Sequence, residues 1–342
     1  MAELDLKKNS GLYDQSAGKL EKGVLKGIRM DKGLIHNALF LVVVVLLGVF
    51  VENTYLLQIM TFIGINTLLA LGLNMLMGYA GQVSLGHGAF YGIGAYATAI
   101  LSGTLGLSPW LALVCAIILA VGVAFVVGLP TLKLSGYYLG MGTLGFGMIV
   151  HILLREAGPV TGGASGFVGI PMLSMGPILF EGGRNYFYLV WALVFMAILI
   201  CKRIIASKTG RALAAIHGRE NAAMALGVDV HRLKLTIFMF SAALGALAGF
   251  LYAHFVLFIS PDSFGFMASV KMVTMVVIGG MANVWGALIG AAVISLLPEV
   301  LHGFADYEMI VFGLILMGVM IVMPQGLTQG LMERYGRHKK RA

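Results

Sequence analysis

The stretch from Asn53 to Leu132 has the sequence NTYLLQIMTFIGINTLLALGLNMLMGYAGQVSLGHGAFYGIGAYATAILSGTLGLSPWLALVCAIILAVGVAFVVGLPTL, eighty residues without a single Asp, Glu, Lys or Arg. One membrane crossing by a helix needs about 20 apolar residues, so this stretch predicts several crossings. The whole chain is 59% hydrophobic and 11% charged, with a mean hydropathy of +0.93. A soluble domain of this length could not bury so much apolar surface. The apolar runs are continuous rather than alternating, which argues against a barrel. The fold class predicted is all-α, a polytopic transmembrane helical bundle.

About ten spans are expected. Their approximate positions are 34–51, 54–77, 83–104, 108–129, 136–154, 186–205, 235–257, 266–280, 283–298 and 308–323. Segments 266–280 and 283–298 are too short for full crossings. They are either half-length or broken helices, or one re-entrant hairpin, which would leave eight full crossings.

Basic residues are concentrated in three clusters, which hold 19 of the 23: residues 1–33, 202–234 and 324–342. With an even number of spans, the positive-inside rule places both termini and the 202–234 cluster in the cytoplasm. The same rule accounts for the net charge of +8 without a nucleic-acid partner. The expected organisation is a polar N-terminal extension over 1–33 without a signal peptide, a membrane domain over 34–325, and a basic tail over 326–342.

A polar segment interrupts the membrane domain over 206–234. From Ser207 it has the sequence SKTGRALAAIHGRENAAMALGVDVHRLK. Its alanines predict a helix over about 211–226, which Gly218 divides and which Gly227 ends. The segment is either a docking surface for another protein or a basic loop lying on anionic lipid. Alanine favours docking, because lipid contact would favour large apolar side chains.

Four polar side chains follow one another at expected membrane depth: Asn74, Gln82, Ser84 and His87. They either line a transport pathway or its gate, or they form hydrogen bonds between helices, since lipid supplies no partners. For His87 a packed structural role is favoured over a proton relay, because no carboxylate lies in the membrane with it. The same lack of carboxylates argues against coupling to an ion gradient.

The sequence offers no catalytic, metal or nucleotide-binding motif. There is no CxxC, HExxH or GxxxxGK[ST] pattern, so no cofactor is expected. Cys115 and Cys201 both fall in apolar segments and are expected to be buried thiols without a disulfide or a metal. The long connection over 155–185 is too rich in Gly and Pro to form one regular helix.

Two long segments resemble a known family. GLNMLMGYAGQVSLGHGAFYGIGAYATAIL, residues 72–101, and SKTGRALAAIHGRENAAMALGVDVHRLKL, residues 207–235, resemble the M-type permease subunit of bacterial branched-chain amino acid ABC importers. The similarity extends over roughly 35–325. Asn221-Ala222-Ala223 and Gly227 are similar to the coupling motif of importer permeases, with Asn221 where many importers have glutamate.

This resemblance implies a set of partners. They are a second, homologous permease, two cytoplasmic ATPase subunits, and a periplasmic substrate-binding protein, all at the bacterial inner membrane. The residues expected to couple to the ATPase are Arg211, Glu220, Asn221, Ala222, Ala223 and Gly227. Leucine, isoleucine or valine is the implied substrate, although close relatives move urea, short amides or sugars. The rival interpretations are a carrier or channel driven by a gradient and acting alone, and an integral membrane enzyme.

Overall fold

The computed structural model describes residues 32–300, except 135, 176–177 and 181–182, together with residues 313, 314 and 317. The N-terminal extension up to residue 31, the basic tail over 326–342 and nearly all of the expected span 308–323 lie outside this part. The chain divides into two compact units, one up to Phe50 and one from Val51. In the first unit the structure describes helix α1, Lys32–Phe50.

The second unit consists almost entirely of helices in its described part. The helices that follow α1 are α2 Thr54–Asn74, α3 His87–Ala99, α4 Pro109–Thr131, α5 Tyr137–Glu156, α6 Gly158–Thr161, α7 Arg184–Ala206, α8 Lys208–Gly218, α9 Glu220–Ala225, α10 Val230–Val256, α11 Phe266–Gly279 and α12 Val284–Val300. Short π-helical turns extend α2 over Met75–Tyr79 and α3 over Ile100–Thr104. Most helix bounds lie within a few residues of the expected spans, because the ends of apolar runs set them.

Local signals explain several helix ends. Asn53 caps α2, since its side-chain oxygen accepts a hydrogen bond from the backbone N–H of Tyr55 at 2.9 Å. Proline stands at the first position of α4. The third expected span was placed from residue 83, but α3 begins at His87. The segment before it is not helical, and Gly81 there adopts a φ of +67°, which ends the preceding helix.

Six helical segments of the described residues are long and apolar enough to cross a membrane. They are Thr54–Tyr79, Pro109–Thr131, Tyr137–Glu156, Arg184–Ala206, Val230–Val256 and Pro261–Gly279. Asn37–Phe50 and Val284–Glu299 are shorter apolar helices. The chain is therefore a multi-pass membrane protein with a polytopic helical fold.

Helix α10 lies at the centre of the second unit and packs against α2, α3 and α4. Its contact with α3 is a contact of backbones. A Cβ at Gly94 would lie 2.4 Å from the Cα of Ala246, and one at Gly249 would lie 2.2 Å from the carbonyl oxygen of Tyr91. Small residues allow such close approach between membrane helices.

Helices α11 and α12 form an antiparallel pair joined by a turn at residues 280–283. Glycine again lines the contact: a Cβ at Gly279 would lie 1.9 Å from the carbonyl oxygen of Gly286, and one at Gly290 would lie 1.8 Å from that of Met275. The two segments expected at 266–280 and 283–298 are thus packed against each other as a helical hairpin. The expectation that the first is too short for a crossing is wrong, because the helical turn before it extends it to Pro261–Gly279, which has 19 residues and is long enough.

The long connection between α5 and α7 is folded without being one helix. It contains α6, a 3-10 turn at Gly163–Ser165, and strands β1 Phe167–Val168, β2 Ser174–Met175 and β3 Ile178–Leu179. Strand β1 pairs antiparallel with β4, Phe258–Ile259, which follows α10, and β2 pairs with β3. A 3-10 turn, Pro261–Phe264, then leads into α11.

Of the two thiols, Cys201 is buried and Cys115 is exposed on α4. The expectation that both are buried is therefore wrong for Cys115. The reason is that an apolar helix surface in a membrane protein can face lipid, so hydrophobicity alone does not place a residue inside the bundle.

We expect Gly249→Leu to destabilise the bundle by at least about 1–3 kcal/mol, because the new side chain would enter the backbone of α3. The measurement is the Tm of the purified protein in detergent. Gly122→Leu is the control, because a Cβ at Gly122 on α4 meets nothing within 4 Å. Equal Tm values for the two variants would contradict the packing described.

Candidate functional site

The polar segment begins with a sharp reversal of the chain after α7. The side chain of Ser207 accepts a hydrogen bond from the N–H of Thr209 at 3.1 Å and donates one to the carbonyl oxygen of Ile204 at 2.6 Å. A Cβ at Gly210 would lie 2.1 Å from the carbonyl oxygen of Ile205. Glycine at this position therefore allows α8 to fold back directly against the end of α7.

Two short helices follow, as the position of Gly218 predicts. Helix α8 ends at Gly218, Arg219 is extended, and α9 begins at Glu220. Helix α9 ends at Ala225, and Gly227 adopts a φ of +82° in the turn that follows. Left-handed backbone of this kind favours glycine at the end of a helix. In the same turn, the N–H of Val228 donates to the carbonyl oxygen of Ala223 at 3.1 Å.

The polar segment has a small hydrophobic core of its own. Ile216, Ala223 and Val230 are buried together, with Val228 and Leu233 packed against them. An ion pair closes the arrangement: Nζ of Lys234 lies 2.7 Å from Oε2 of Glu220, and the Lys234 side chain is only 7% exposed. This pair ties α9 to the first turns of α10.

The six predicted coupling residues are not equivalent in the structure. Arg211, Asn221, Ala222 and Gly227 are exposed, and Glu220 is partly buried in its ion pair. Ala223 is 1% exposed, so it supports the segment from inside and cannot itself touch a partner.

Sequence analysis missed two large apolar side chains on the exposed surface of the polar segment. Met224 is 50% exposed and Leu226 is 82% exposed. The helical period of α9 could have predicted their exposure. Because Ala223 lies on the buried face of the helix, its neighbours in sequence face outward. After the role that sequence analysis predicts for this segment, we call the surface formed by Arg211, Asn221, Ala222, Met224, Leu226 and Gly227 the docking face. It combines exposed apolar side chains with polar ones, as protein interfaces do.

The polar segment contacts the non-helical break between α2 and α3. A Cβ at Gly81 would lie 3.0 Å from Nδ1 of His217. Between the two segments lies a cavity of about 250 Å³, whose lining includes Gln82, His217, Glu220 and Lys234. Movement of α8 would therefore reach the break directly.

Gln82 differs from the other three polar residues predicted as pathway or gate. Its side chain is 2% exposed, and neither its amide nitrogen nor its oxygen has a hydrogen-bond partner among the described residues. It lines the 250 Å³ cavity, which has room for water. Burying an amide without hydrogen-bond partners costs free energy. Water in this cavity would supply those partners to the Gln82 side chain.

Asn74 fixes the turn between α11 and α12. Its amide nitrogen donates to the carbonyl oxygen of Asn283 at 2.8 Å, and its oxygen accepts from the N–H of Ala282 at 3.0 Å. Ala282 has a φ of +57°, an unusual value for a residue with a side chain. The side chain of Asn74 therefore holds a strained turn in place.

Ser84 and His87 form a hydrogen-bonded chain inside the bundle. Nδ1 of His87 lies 3.3 Å from the hydroxyl of Ser84, and Nε2 is hydrogen-bonded to the hydroxyl of Ser241 on α10. The His87 ring also packs edge-on against Phe90 and Phe238. These contacts join the start of α3 to α10, and His87 does not line the cavity that Gln82 borders.

A second cavity, of about 350 Å³, lies between α2, α3, α10 and α11, toward the other end of the helices. We call it the aromatic cavity. Its lining is mostly aromatic and methionine side chains with a few polar groups, namely Phe62, Asn66, Leu69, Tyr91, Tyr252, Ser263, Met267, Ala268, Lys271, Met272 and Met275. Lys271 lies within the span expected at 266–280, and sequence analysis gave a functional role to none of these lining residues, because they come from four separate segments.

Among the described residues, no group of three or more His, Cys, Asp or Glu side chains could hold a metal ion. The cavity beside Gln82, the aromatic cavity and the docking face are features of the described residues that suggest a function.

Comparison with known proteins gives a consistent result. A family model described as the permease component of a branched-chain amino acid transport system matches residues 55–323. The high-affinity branched-chain amino acid transport permease protein LivM of Escherichia coli (strain K12) is 36% identical over 324 residues, covering 87% of this chain and 76% of that protein.

More distant relatives include the permease protein LivH of the same kind of system in Salmonella typhimurium. It is 27% identical over 278 residues, covering 76% of this chain and 90% of that protein. The autoinducer 2 import system permease protein LsrC of Yersinia enterocolitica is 27% identical over 316 residues, covering 87% of this chain and 83% of that protein. No solved structure matches the chain.

The family model covers more than half of the chain, and the relative from Escherichia coli is similar over most of its length. The chain therefore belongs to the family of permease components of branched-chain amino acid transport systems.

Proposed function

We propose that this permease forms one half of the translocation pathway of an ATP-driven importer for branched-chain amino acids. The observation that carries the proposal is the course of α10. It begins in the core of the polar segment, at Val230 and Lys234, and it reaches the aromatic cavity at Tyr252. At 1.5 Å per residue, about 33 Å of rigid helix thus joins a docking face to a cavity.

The proposed topology has about ten spans, or eight if α11 and α12 form a re-entrant hairpin, with both termini in the cytoplasm. Contacts between helix ends support a chain that crosses the membrane in alternating directions. Asn74 meets Asn283 and Gly81 meets His217 at one end. At the other end, Trp110 donates a hydrogen bond to the carbonyl oxygen of Ser174, and β1 pairs with β4. The basic clusters favour the first of these ends as the cytoplasmic one.

Each proposed partner has a place on this topology. Two cytoplasmic ATPase subunits would hydrolyse ATP, one of them bound to the docking face. A homologous permease would complete the pathway, and the occurrence of LivM and LivH proteins among the relatives supports such a pair. A periplasmic binding protein would deliver substrate at the end that carries the folded 157–183 connection. The location proposed is the bacterial inner membrane.

The domains proposed remain the membrane domain over 34–325, with its coupling loop over 206–234, flanked by the extension over 1–33 and the tail over 326–342. Within the coupling loop, the residues of the docking face are assigned to the interface with the ATPase: Arg211, Asn221, Ala222, Met224, Leu226 and Gly227. Glu220 and Ala223 are assigned to holding its shape. Asn74, Gln82, Ser84 and His87 are assigned to the pathway or its gate, Gln82 and Ser84 from the break and Asn74 and His87 from the helices on either side of it.

The names of the relatives support branched-chain amino acids as substrate, because the matches include LivM and LivH proteins. LsrC carries the name of an autoinducer 2 import system, which shows that relatives also include permeases named for another solute. Urea and short amides, which the family resemblance implies, remain the alternative substrates. A gradient-driven carrier acting alone is disfavoured, since the described helices contain no Asp or Glu away from their ends.

The test of function is uptake by vesicles that contain the chain with its ATPase, permease and binding-protein partners. We expect uptake of labelled leucine to require ATP and to persist when ionophores collapse the ion gradients. Uptake of urea in place of leucine would favour the alternative substrate. Leucine accumulation by the chain alone, without any ATPase subunit, would refute the proposal.

Leu226→Glu is expected to weaken binding of the ATPase about tenfold or more, because it places a charge at the most exposed apolar side chain of the docking face. Co-purification of the ATPase with the chain measures the effect. Val168→Glu is the matched control, since Val168 is 71% exposed but lies on β1, at the other end of the helices. Normal co-purification with Leu226→Glu would show that the docking face is elsewhere.

Gly81→Val is expected to lower uptake while leaving ATPase binding intact, because the side chain would push His217 and α8 away from the break. Gly106→Val controls for backbone strain. Gly106 has a φ of +66° against +67° for Gly81, but a Cβ there meets nothing within 4 Å. Uptake and co-purification are measured for both variants. Equal uptake by the Gly81→Val and Gly106→Val variants would show that the contact between α8 and the break does not transmit movement.

A further inference from the structure

The side-chain amide of Gln82 is buried without being paired. The side chain is 2% exposed, and neither Nε2 nor Oε1 has a hydrogen-bond partner among the described residues. Buried amides in folded proteins are almost always hydrogen-bonded, because an unpaired one keeps the full cost of leaving water. A second arrangement of the chain that pairs this amide would therefore recover free energy that the arrangement described here lacks.

The cavity beside Gln82 is a gap between separate parts of the chain. Its volume is about 250 Å³. The break contributes Gln82 to its lining, the start of α5 contributes Leu139, and the polar segment contributes Glu220 and Lys234. A gap between three parts can close when one of them moves as a body, without the unfolding of any helix.

The ion pair in the lining of this cavity is able to bond to both atoms of the Gln82 amide. Nζ of Lys234 lies 2.7 Å from Oε2 of Glu220. A carboxylate has two acceptor oxygens and an ammonium group has three donor hydrogens, so the pair stays intact while each member forms a further hydrogen bond. Nε2 of Gln82 would donate to the carboxylate, and Oε1 would accept from the ammonium group.

The backbone around the cavity is suited to movement. Gly81 has a φ of +67°, and Gly136 has a φ of +56° with nothing within 4 Å of the position of a Cβ. Arg219 is extended between α8 and α9, so the two short helices are not one rigid rod. Residues at loops and helix ends absorb the dihedral changes of such movements.

The docking face lies on the same part of the chain as one wall of this cavity. Arg211 belongs to α8 and Met224 to α9, the helix that begins with Glu220. Force applied to the docking face would therefore act on the wall that carries the ion pair.

We propose that the cavity beside Gln82 closes when the transporter binds ATP, and that Gln82 then bonds to the Glu220–Lys234 pair. Gln82 is in this view a positioning residue, which holds the polar segment against the break. The arrangement described here is the open one. The inference rests on the proposed function and deepens it, because it names the contact that passes the movement of a docked ATPase to the helical bundle.

The first experiment measures the width of the cavity in the complete complex. Spin labels are attached at Leu134→Cys and Gly218→Cys, both exposed positions in its lining, in a chain that also carries Cys115→Ser and Cys201→Ala. The partner subunits used lack reactive cysteines. We expect a non-hydrolysable ATP analogue to shift the distance between the labels to shorter values. An unchanged or longer distance would overturn the inference.

The second experiment repeats this measurement with Gln82→Leu, which removes the amide at similar size. We expect the shift to be lost and leucine uptake to fall about tenfold, the usual effect of losing a hydrogen bond to a charged group. Gln58→Leu is the matched control, because it makes the same substitution at an exposed position on α2 and should change neither quantity. A normal shift in Gln82→Leu would contradict the role given to Gln82.

Gln82→Asn keeps the test decisive if Gln82→Leu does not assemble with its partners. It retains the amide but draws it back by one methylene, so we expect a smaller shift and lower uptake. A Gln82→Asn complex with the shift and uptake of the unmodified one would overturn the proposal.

A double-mutant cycle separates a direct contact from two independent structural roles. Leucine uptake is measured for Gln82→Leu, for Glu220→Gln and for both together. If the two side chains bond to each other, the double variant should be no worse than the worse single variant, because each change removes the same contact. Effects that multiply would show that Gln82 and Glu220 act separately, and the proposed contact would be wrong.

A failure of this inference is distinguishable from a failure of the proposed function. If the unmodified complex shows no ATP-dependent uptake of leucine, the function itself is wrong. If it transports leucine while the distance between the labels does not respond to the ATP analogue, only the closing of the cavity is wrong.

Discussion

The close contact between α3 and α10 is the constraint on which the rest of the molecule depends. Gly94 and Gly249 let the two backbones touch, so no side chain separates the helices. In a membrane, where lipid is as apolar as a leucine side chain, this packing supplies most of what holds helices together. The contact fixes α10 at the centre, and α10 in turn carries the polar segment at one end and Tyr252 of the aromatic cavity at the other.

Much of this architecture follows from the sequence. Apolar runs predict the helices to within a few residues, because the ends of a span are set by the cost of exposing backbone to lipid. Gly218 and Gly227 predict where the short helices divide and end, because glycine readily adopts the backbone conformations that terminate a helix. What the sequence does not show is which face of a helix is covered. Ala223, predicted at a protein interface, is instead buried, whereas Met224 and Leu226 beside it are exposed.

The four polar residues at expected membrane depth illustrate a second limit. Asn74 and His87 satisfy their polar atoms through Asn283, Ala282, Ser84 and Ser241, partners that lie up to 209 residues away in sequence. Gln82 does not, and it borders a cavity. The sequence alone could not tell which of the four has hydrogen-bond partners, because those partners are set by the tertiary structure. The aromatic cavity escaped prediction for the same reason, since four separate segments contribute its lining.

The small hydrophobic core of the polar segment has a consequence for how a partner would bind to this segment. Ile216, Ala223 and Val230, together with the Glu220–Lys234 pair, keep α8 and α9 in shape in the isolated chain. A subunit that binds this segment would then meet a preformed surface and would not have to order a flexible loop. Most of the conformational entropy of that surface is already lost on folding, so more of the contact energy remains as affinity.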